Sequence, residues 1–137
     1  MKSSQSEKIL FVDDDRLILE AVRRQFRKIF DVTLAEGPDK GLEKINSEGP
    51  FAVIVSDRCM PGMDGIEFFS KVCKISPDSS RIMMTGDDEC EAAVNAVNEG
   101  QIFRFLTKPC TRELIQSTIE AGLEKYRLVT SQKTLQT

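Results

Sequence analysis

Carboxyl, hydroxyl and ammonium side chains in this sequence fall at the ends of short apolar runs. Asp13, Asp14 and Asp15 follow Ile9-Leu10-Phe11-Val12, and Asp57 comes two residues after Ala52-Val53-Ile54-Val55. Thr85 closes Arg81-Ile82-Met83-Met84, and Lys108 stands two residues past Leu106. Two carboxylates about 4 Å apart repel by roughly 4 kcal/mol at an effective dielectric near 20, so a cluster of them calls for a cation. All-oxygen ligands that leave water in place suit Mg²⁺ better than a softer metal. A carboxylate such as Asp57 can attack phosphorus and form an aspartyl phosphate. The Lys108 ammonium can neutralise phosphoryl oxygens during transfer, and the Thr85 hydroxyl can donate to the attached group. Singly, each residue has an ordinary reading: an acid after a strand caps a helix, Lys-Pro is a surface turn, Thr-Gly a loop. Three such groups at successive run ends, with the acidic pair first, make phosphoryl chemistry the better account.

The elements that must position these residues alternate. Ile9–Val12 is short, apolar and abruptly closed, as expected of a strand buried on both faces. Apolar residues from Leu17 to Phe30 (Ile18, Val22, Phe26, Ile29) predict a helix, with Asp14 or Asp15 as its cap. Val32–Leu34 predicts a strand, Pro38–Asn46 a helix with proline in its first turn, and Ala52–Val55 a second buried strand. Met60–Gly65 is a turn punctuated by Pro61, Gly62 and Gly65. Ile66–Ile75 is helical, Arg81–Met84 a strand, Asp88–Asn98 a helix with Gly100 beyond it, and Ile102–Leu106 the fifth strand. The last helix starts near Thr111 and carries Ile115, Ile119, Gly122 and Tyr126 on one face. Five strands alternating with five helices predict an α/β fold with a parallel sheet covered on both sides. In such sheets ligands bind at the carboxyl ends of the strands, where the polar residues lie.

Composition narrows the function classes. A chain of 137 residues has room for one compact domain. The formal charge of −3 argues against a nucleic-acid surface. Only Arg23, Arg24, Arg27 and Lys28 bunch, and they read as a solvated helix face. Cys59, Cys73, Cys90 and Cys110 include no C-x-x-C pair, and there is no histidine, so neither a zinc site nor a disulfide framework is expected. No apolar run approaches membrane-spanning length and Met1–Lys8 is polar. These features predict a cytoplasmic protein that engages neither nucleic acid nor membrane.

Four segments, Val12-Asp13-Asp14-Asp15, Ser56-Asp57-Arg58-Cys59-Met60-Pro61-Gly62-Met63-Asp64-Gly65, Met84-Thr85-Gly86 and Leu106-Thr107-Lys108-Pro109, together resemble the response-regulator receiver domain of two-component signalling. The resemblance covers residues 7–126, leaving a polar tail over 1–6 and a linker or helix extension over 127–137. It implies a flavodoxin-like five-stranded sheet of order 2-1-3-4-5 with five helices on both faces. It implies Asp13, Asp14, Asp57 and the Cys59 backbone carbonyl as Mg²⁺ ligands, Asp57 as phosphoacceptor, Lys108 as phosphate contact, and Thr85 with Phe105 as switch residues. The implied donor is a sensor histidine kinase or phosphotransfer protein. The domain would not be a classical enzyme, although it would take part in its own phosphorylation and dephosphorylation. The face built from the fourth helix, fifth strand and fifth helix would carry the output, through a homodimer or a C-terminal effector domain outside this chain. Residues 98–105 further resemble receivers attached to HD-type cyclic-dinucleotide phosphodiesterases.

Several positions are loosely specified. Asp15 is either a third metal-site acid or a cap, and Asp87, two residues after Thr85, is expected to modulate loss of the phosphoryl group. Neutralising Asp57 is expected to stabilise the metal-free protein. A haloacid-dehalogenase-type phosphatase or mutase uses similar groups, but it needs a second acid where Cys59 stands, and a capping insert. A module that no longer takes phosphate is set against the complete acid–Thr–Lys set.

Overall fold

The computed structural model describes residues 7–86 and 90–136, with side chains as far as Ser131. The polar tail expected over 1–6 lies outside the described residues. Five strands and five helices alternate: β1 (Lys8–Asp13), α1 (Arg16–Phe26), β2 (Asp31–Glu36), α2 (Pro38–Glu48), β3 (Val53–Asp57), α3 (Gly65–Ile75), β4 (Ser80–Thr85), α4 (Cys90–Asn98), β5 (Arg104–Thr107) and α5 (Arg112–Gln136). All strand pairings are parallel and the order is β2-β1-β3-β4-β5. This is the flavodoxin-like order that the resemblance implied.

The period of two along each strand divides the core. Leu10, Val12, Ile54 and Met83 point to one side, against Ile45 of α2, Phe68, Phe69 and Val72 of α3, and Ala93 and Ala96 of α4. Ile9, Phe11, Val53, Val55, Ile82 and Leu106 point to the other, against Leu19 and Phe26 of α1 and Ile119 and Leu123 of α5. Residues buried on both faces explain why these strands read as continuous apolar runs.

Local chemistry sets the helix starts. The Asp15 carboxylate accepts from the Leu17 N–H at 2.9 Å, so Asp15 is the cap of α1 and Asp14 is left exposed beside it. Pro38 opens α2, and Asp64 caps α3 by accepting from the Glu67 N–H at 2.9 Å.

Three boundaries differ from the periodicity. α1 ends at Phe26, because the Ile29 and Phe30 N–H groups both turn back to the Phe26 carbonyl. Phe30 then folds in beside the Phe26 ring, with centroids 6.0 Å apart. β5 starts at Arg104: the Gln101 and Ile102 N–H groups wrap onto the Ala96 carbonyl, so Ile102 is a buried loop residue that looked like strand. α5 continues as helix to Gln136, and Arg127 forms a double hydrogen bond with Glu7 at 2.6 and 2.7 Å. Nothing in the sequence reading marked Arg81, whose buried guanidinium donates to the carbonyls of Gln101, Ser79, Pro77 and Gly100. It ties the loop before β4 to the loop after α4.

Gly122 sets the closeness of α5. A Cβ there would meet Val53 Cγ2 at 3.1 Å and Ser80 Cβ at 3.2 Å, while the Ser80 hydroxyl donates to the Gly122 carbonyl at 2.7 Å. Gly122→Leu is therefore expected to lift α5 from the sheet and cost about 1–3 kcal/mol, read as a lower urea midpoint with an unchanged slope.

Candidate functional site

Parallel pairing brings the strand ends together. Val12 pairs with Ser56, so Asp13 and Asp57 follow side by side on neighbouring strands. Asp57 pairs with Met84 and Thr85 with Thr107, which sets Thr85 one residue beyond Asp57 and Lys108 next along β5. Backbone bonds beyond the ladder hold the edge: Arg58 N–H to Met84 O and Lys108 N–H to Thr85 O, each 2.8 Å, and Gly37 N–H to Asp13 O at 3.0 Å.

Asp13, Asp14 and Asp57 each offer a carboxylate oxygen, all within 4.8 Å of one another. Asp57 is buried, 7% exposed, and its Oδ1 accepts from Lys108 Nζ at 2.5 Å. Asp13 Oδ1 accepts from the Asp15 N–H at 2.9 Å. Burial raises the Asp13 pKa to about 6; the Asp15 N–H bond opposes this, the charges of Asp57 and Asp14 add to it, and Lys108 opposes it. Burial works against the Lys108 ammonium, yet the hydrogen bond and charge of Asp57, with Asp13 and Cys59, hold its pKa above the ordinary lysine value. Three hard oxygen donors, one of them kept reluctant to ionise first by burial and then by the charges of the other two, fit a small divalent cation such as Mg²⁺.

Thr85 is fully buried, and among the described residues its hydroxyl makes a long bond to the Gly86 carbonyl, 3.4 Å. Phe105 lies away from the acids. It is half-buried on the side of the sheet that carries α4, in the cluster with Ala93 and Ala96. Cys59 is exposed on the loop leaving β3. Asp15 serves as the cap of α1, and Asp87 lies outside the described residues.

The sequence reading missed how the loop after β3 is closed. The Gly65 N–H bonds to the Arg58 carbonyl at 2.8 Å, and a Cβ on Gly65 would stand 2.6 Å from the Asp57 carbonyl oxygen. Arg58 and Asp64 approach to 3.9 Å across the same loop. Gly65 was legible only as turn punctuation, because its role is the approach of a helix start to a strand end. The expectation that neutralising Asp57 would stabilise the metal-free chain also changes. Asp57 is paired with Lys108, whereas Asp13 is disfavoured as an anion first by burial and then by the charges of Asp57 and Asp14.

The sequence model of the response regulator receiver domain matches residues 9–120. The chain belongs to the response regulator receiver family. Proteins of this family are phosphoacceptor signalling domains that are phosphorylated by kinases and bind Mg²⁺ at an acidic pocket. The receiver is 32% identical over 120 residues to the hydrogenase transcriptional regulatory protein HoxA of Bradyrhizobium diazoefficiens, a match covering 88% of this chain and 24% of that protein. It thus spans about a quarter of that relative's length. Among solved structures, one described as adenylate cyclase from Rhodopirellula baltica superposes with a TM-score of 0.93 at 45% identity, covering 95% of this chain and 96% of that one. The signal receiver domain of an HD domain-containing protein from Pseudomonas fluorescens gives a TM-score of 0.81 at 25% identity, with 88% and 97% covered. Among the described residues of the receiver no helix is long and apolar enough to cross a membrane.

The raised Asp13 pKa has a definite sign. Between the ordinary value of 3.8 and about 6 the folded state holds the extra proton, so this group makes stability fall as pH rises through that window. In chelator, Asp13→Asn is expected to melt above the parent at pH 7.5 and level with it near pH 4, by calorimetry. Mg²⁺ should raise the melting point of the parent at pH 7.5, since it binds the folded state and offsets the same repulsion.

Proposed function

We propose that Asp57 is the phosphoacceptor of this receiver, with Lys108 and Thr85 as its phosphoryl contacts. The observation that carries the reading is the Asp57 carboxylate itself, buried at the end of β3 with Asp13 and Asp14 on one side and Lys108 Nζ at 2.5 Å. Asp57 attacks the phosphorus of a phosphohistidine on a sensor kinase or phosphotransfer protein. The new O–P bond replaces the donor's N–P bond, and the released imidazole nitrogen takes up a proton. Mg²⁺, when held by Asp13, Asp14 and Asp57 with the Cys59 carbonyl, supplies positive charge to the phosphoryl oxygens. The Lys108 ammonium passes from the carboxylate to one of those oxygens, and Thr85 exchanges its long bond to Gly86 for another. The same groups serve a second transfer, in which water attacks the phosphorus and the O–P bond to Asp57 breaks. The carboxylate is regenerated as inorganic phosphate and a proton leave, so the domain contributes to its own dephosphorylation.

Two charge-assisted bonds of about 1.5–3 kcal/mol each total roughly 3–6 kcal/mol. Moving a population from 1:99 to 99:1 takes about 5.5 kcal/mol, which Thr85 and Lys108 reach only at the upper end of that range. In this reading Thr85 moves toward the phosphoryl group and Phe105 fills the space it leaves, which alters the face of α4, β5 and α5. That face then meets a second copy or an effector domain, in a cytoplasmic signalling protein whose receiver spans 7–126. For the output, 45% identity to the chain described as adenylate cyclase supports a cyclase more than 25% supports the HD type.

Incubation with acetyl phosphate and Mg²⁺ should add one phosphoryl group by intact mass, with Asp57→Ala showing no gain. Lys108→Ala should retain slow labelling yet lose the amide shifts around Phe105. Labelling of Asp57→Ala at the parental rate would refute the assignment.

A further inference from the structure

A second charged surface lies on α1 and α5, and the phosphoryl chemistry leaves it unused. A groove of about 480 Å³ is lined by Arg24, Gln25, Arg27, Lys28, Ile29 and Arg112, four cations and no carboxylate. The chain as a whole carries −3, and elsewhere it pairs exposed cations along its helices, as in Arg16–Glu20 and Lys44–Glu48. Among the described residues none of Arg24, Arg27 and Lys28 has a carboxylate within 4.0 Å. The helix dipole favours cations in the last turn of α1, which accounts for Arg24. It disfavours Arg112, the first residue of α5, whose exposed contact with Glu113 is long at 3.9 Å. Two elements thus bring cations to one groove, one of them against its own helix.

The groove continues into a hollow of about 730 Å³ that shares Arg27, Lys28 and Ile29. Its walls add the apolar Phe30 and Leu123, the acids Asp31 and Glu120, and Glu7 bonded to Arg127. Ile29, 45% exposed, stands between the two. A polyphosphate or nucleic-acid backbone suits the first part but meets Asp31, Glu120 and an apolar wall in the second. An occupant with carboxylates at one end and apolar side chains at the other suits both.

We propose that this double groove docks an acidic, amphipathic segment of a partner protein. Its Asp and Glu side chains lie against Arg24, Arg27, Lys28 and Arg112, and its apolar side chains cover Ile29, Phe30 and Leu123. No residue lining the groove or the hollow belongs to the carboxylate cluster, although Arg112 starts α5 only four residues past Lys108.

The probe is a labelled synthetic helix of about four turns, with glutamates grouped at one end and leucines at the other. It is compared at about 0.15 M salt with a scrambled peptide of the same composition, with tripolyphosphate and with a short DNA duplex. The grouped peptide is expected to bind, with amide shifts over 24–31 and 112–123. Arg24→Glu with Arg112→Glu should weaken it by about tenfold or more, the loss of roughly two charge pairs and their replacement by repulsion. Lys71→Glu with Lys74→Glu on α3 should not. Unchanged labelling of both variants by acetyl phosphate checks their fold. Equal binding of the scrambled peptide, tighter binding of tripolyphosphate or DNA, or shifts outside the groove would each overturn the proposal.

Discussion

Three carboxylates and one ammonium share the carboxyl edge of the sheet, and the surrounding structure can be understood as the means of keeping them there. Parallel strands bring Asp13 and Asp57 side by side because Val12 and Ser56 pair, whatever the side chains prefer. Lys108 relieves part of the repulsion by bonding Asp57, while burial first, and the charges of Asp57 and Asp14 after it, raise the Asp13 pKa. Such stored repulsion is what a divalent cation would relieve. The backbone holds the edge with bonds outside the regular ladder, and Gly65 lets the start of α3 sit against the Asp57 carbonyl. A site that depends on like charges needs a rigid frame, since a flexible one would let them separate.

That frame is not equally firm on both sides. α3 is held by Phe68, Phe69 and Val72, all fully buried, whereas α4 buries only Ala93 and Ala96. Burying a large apolar side chain contributes about 1.5–3 kcal/mol, and an alanine methyl much less, so α4 is the more loosely held helix. Its far end is fixed where Arg81 gathers the Gly100 and Gln101 carbonyls. Phe105 packs among the same residues as the two alanines. The switch proposed for Thr85 and Phe105 rests on this contrast.

α1 and α5 share the other side of the sheet, and their outward surfaces carry charge that the core does not need. Three of the four basic residues that read as a solvated face in sequence, Arg24, Arg27 and Lys28, become one wall of a groove once Arg112 joins them. Chain order cannot show that convergence, because 84 residues separate Lys28 from Arg112.

The amino-acid sequence by itself determined the alternation of elements, the two-sided burial of the strands and the identity of the polar residues at their ends. Those properties are local: periods of two and 3.6, caps such as Asp15 and Asp64, and Pro38 at a helix start are decided within a few residues. The tertiary structure decided what depends on distance between distant segments. It paired Lys108 with Asp57, gave Asp15 to the cap and left Asp14 to the acidic cluster, buried Ile102 in a loop, and made Gly65 and Gly122 points of close approach. Electrostatic energy and steric exclusion act through space, so residues 51 positions apart can form an ion pair and leave no trace in the local pattern.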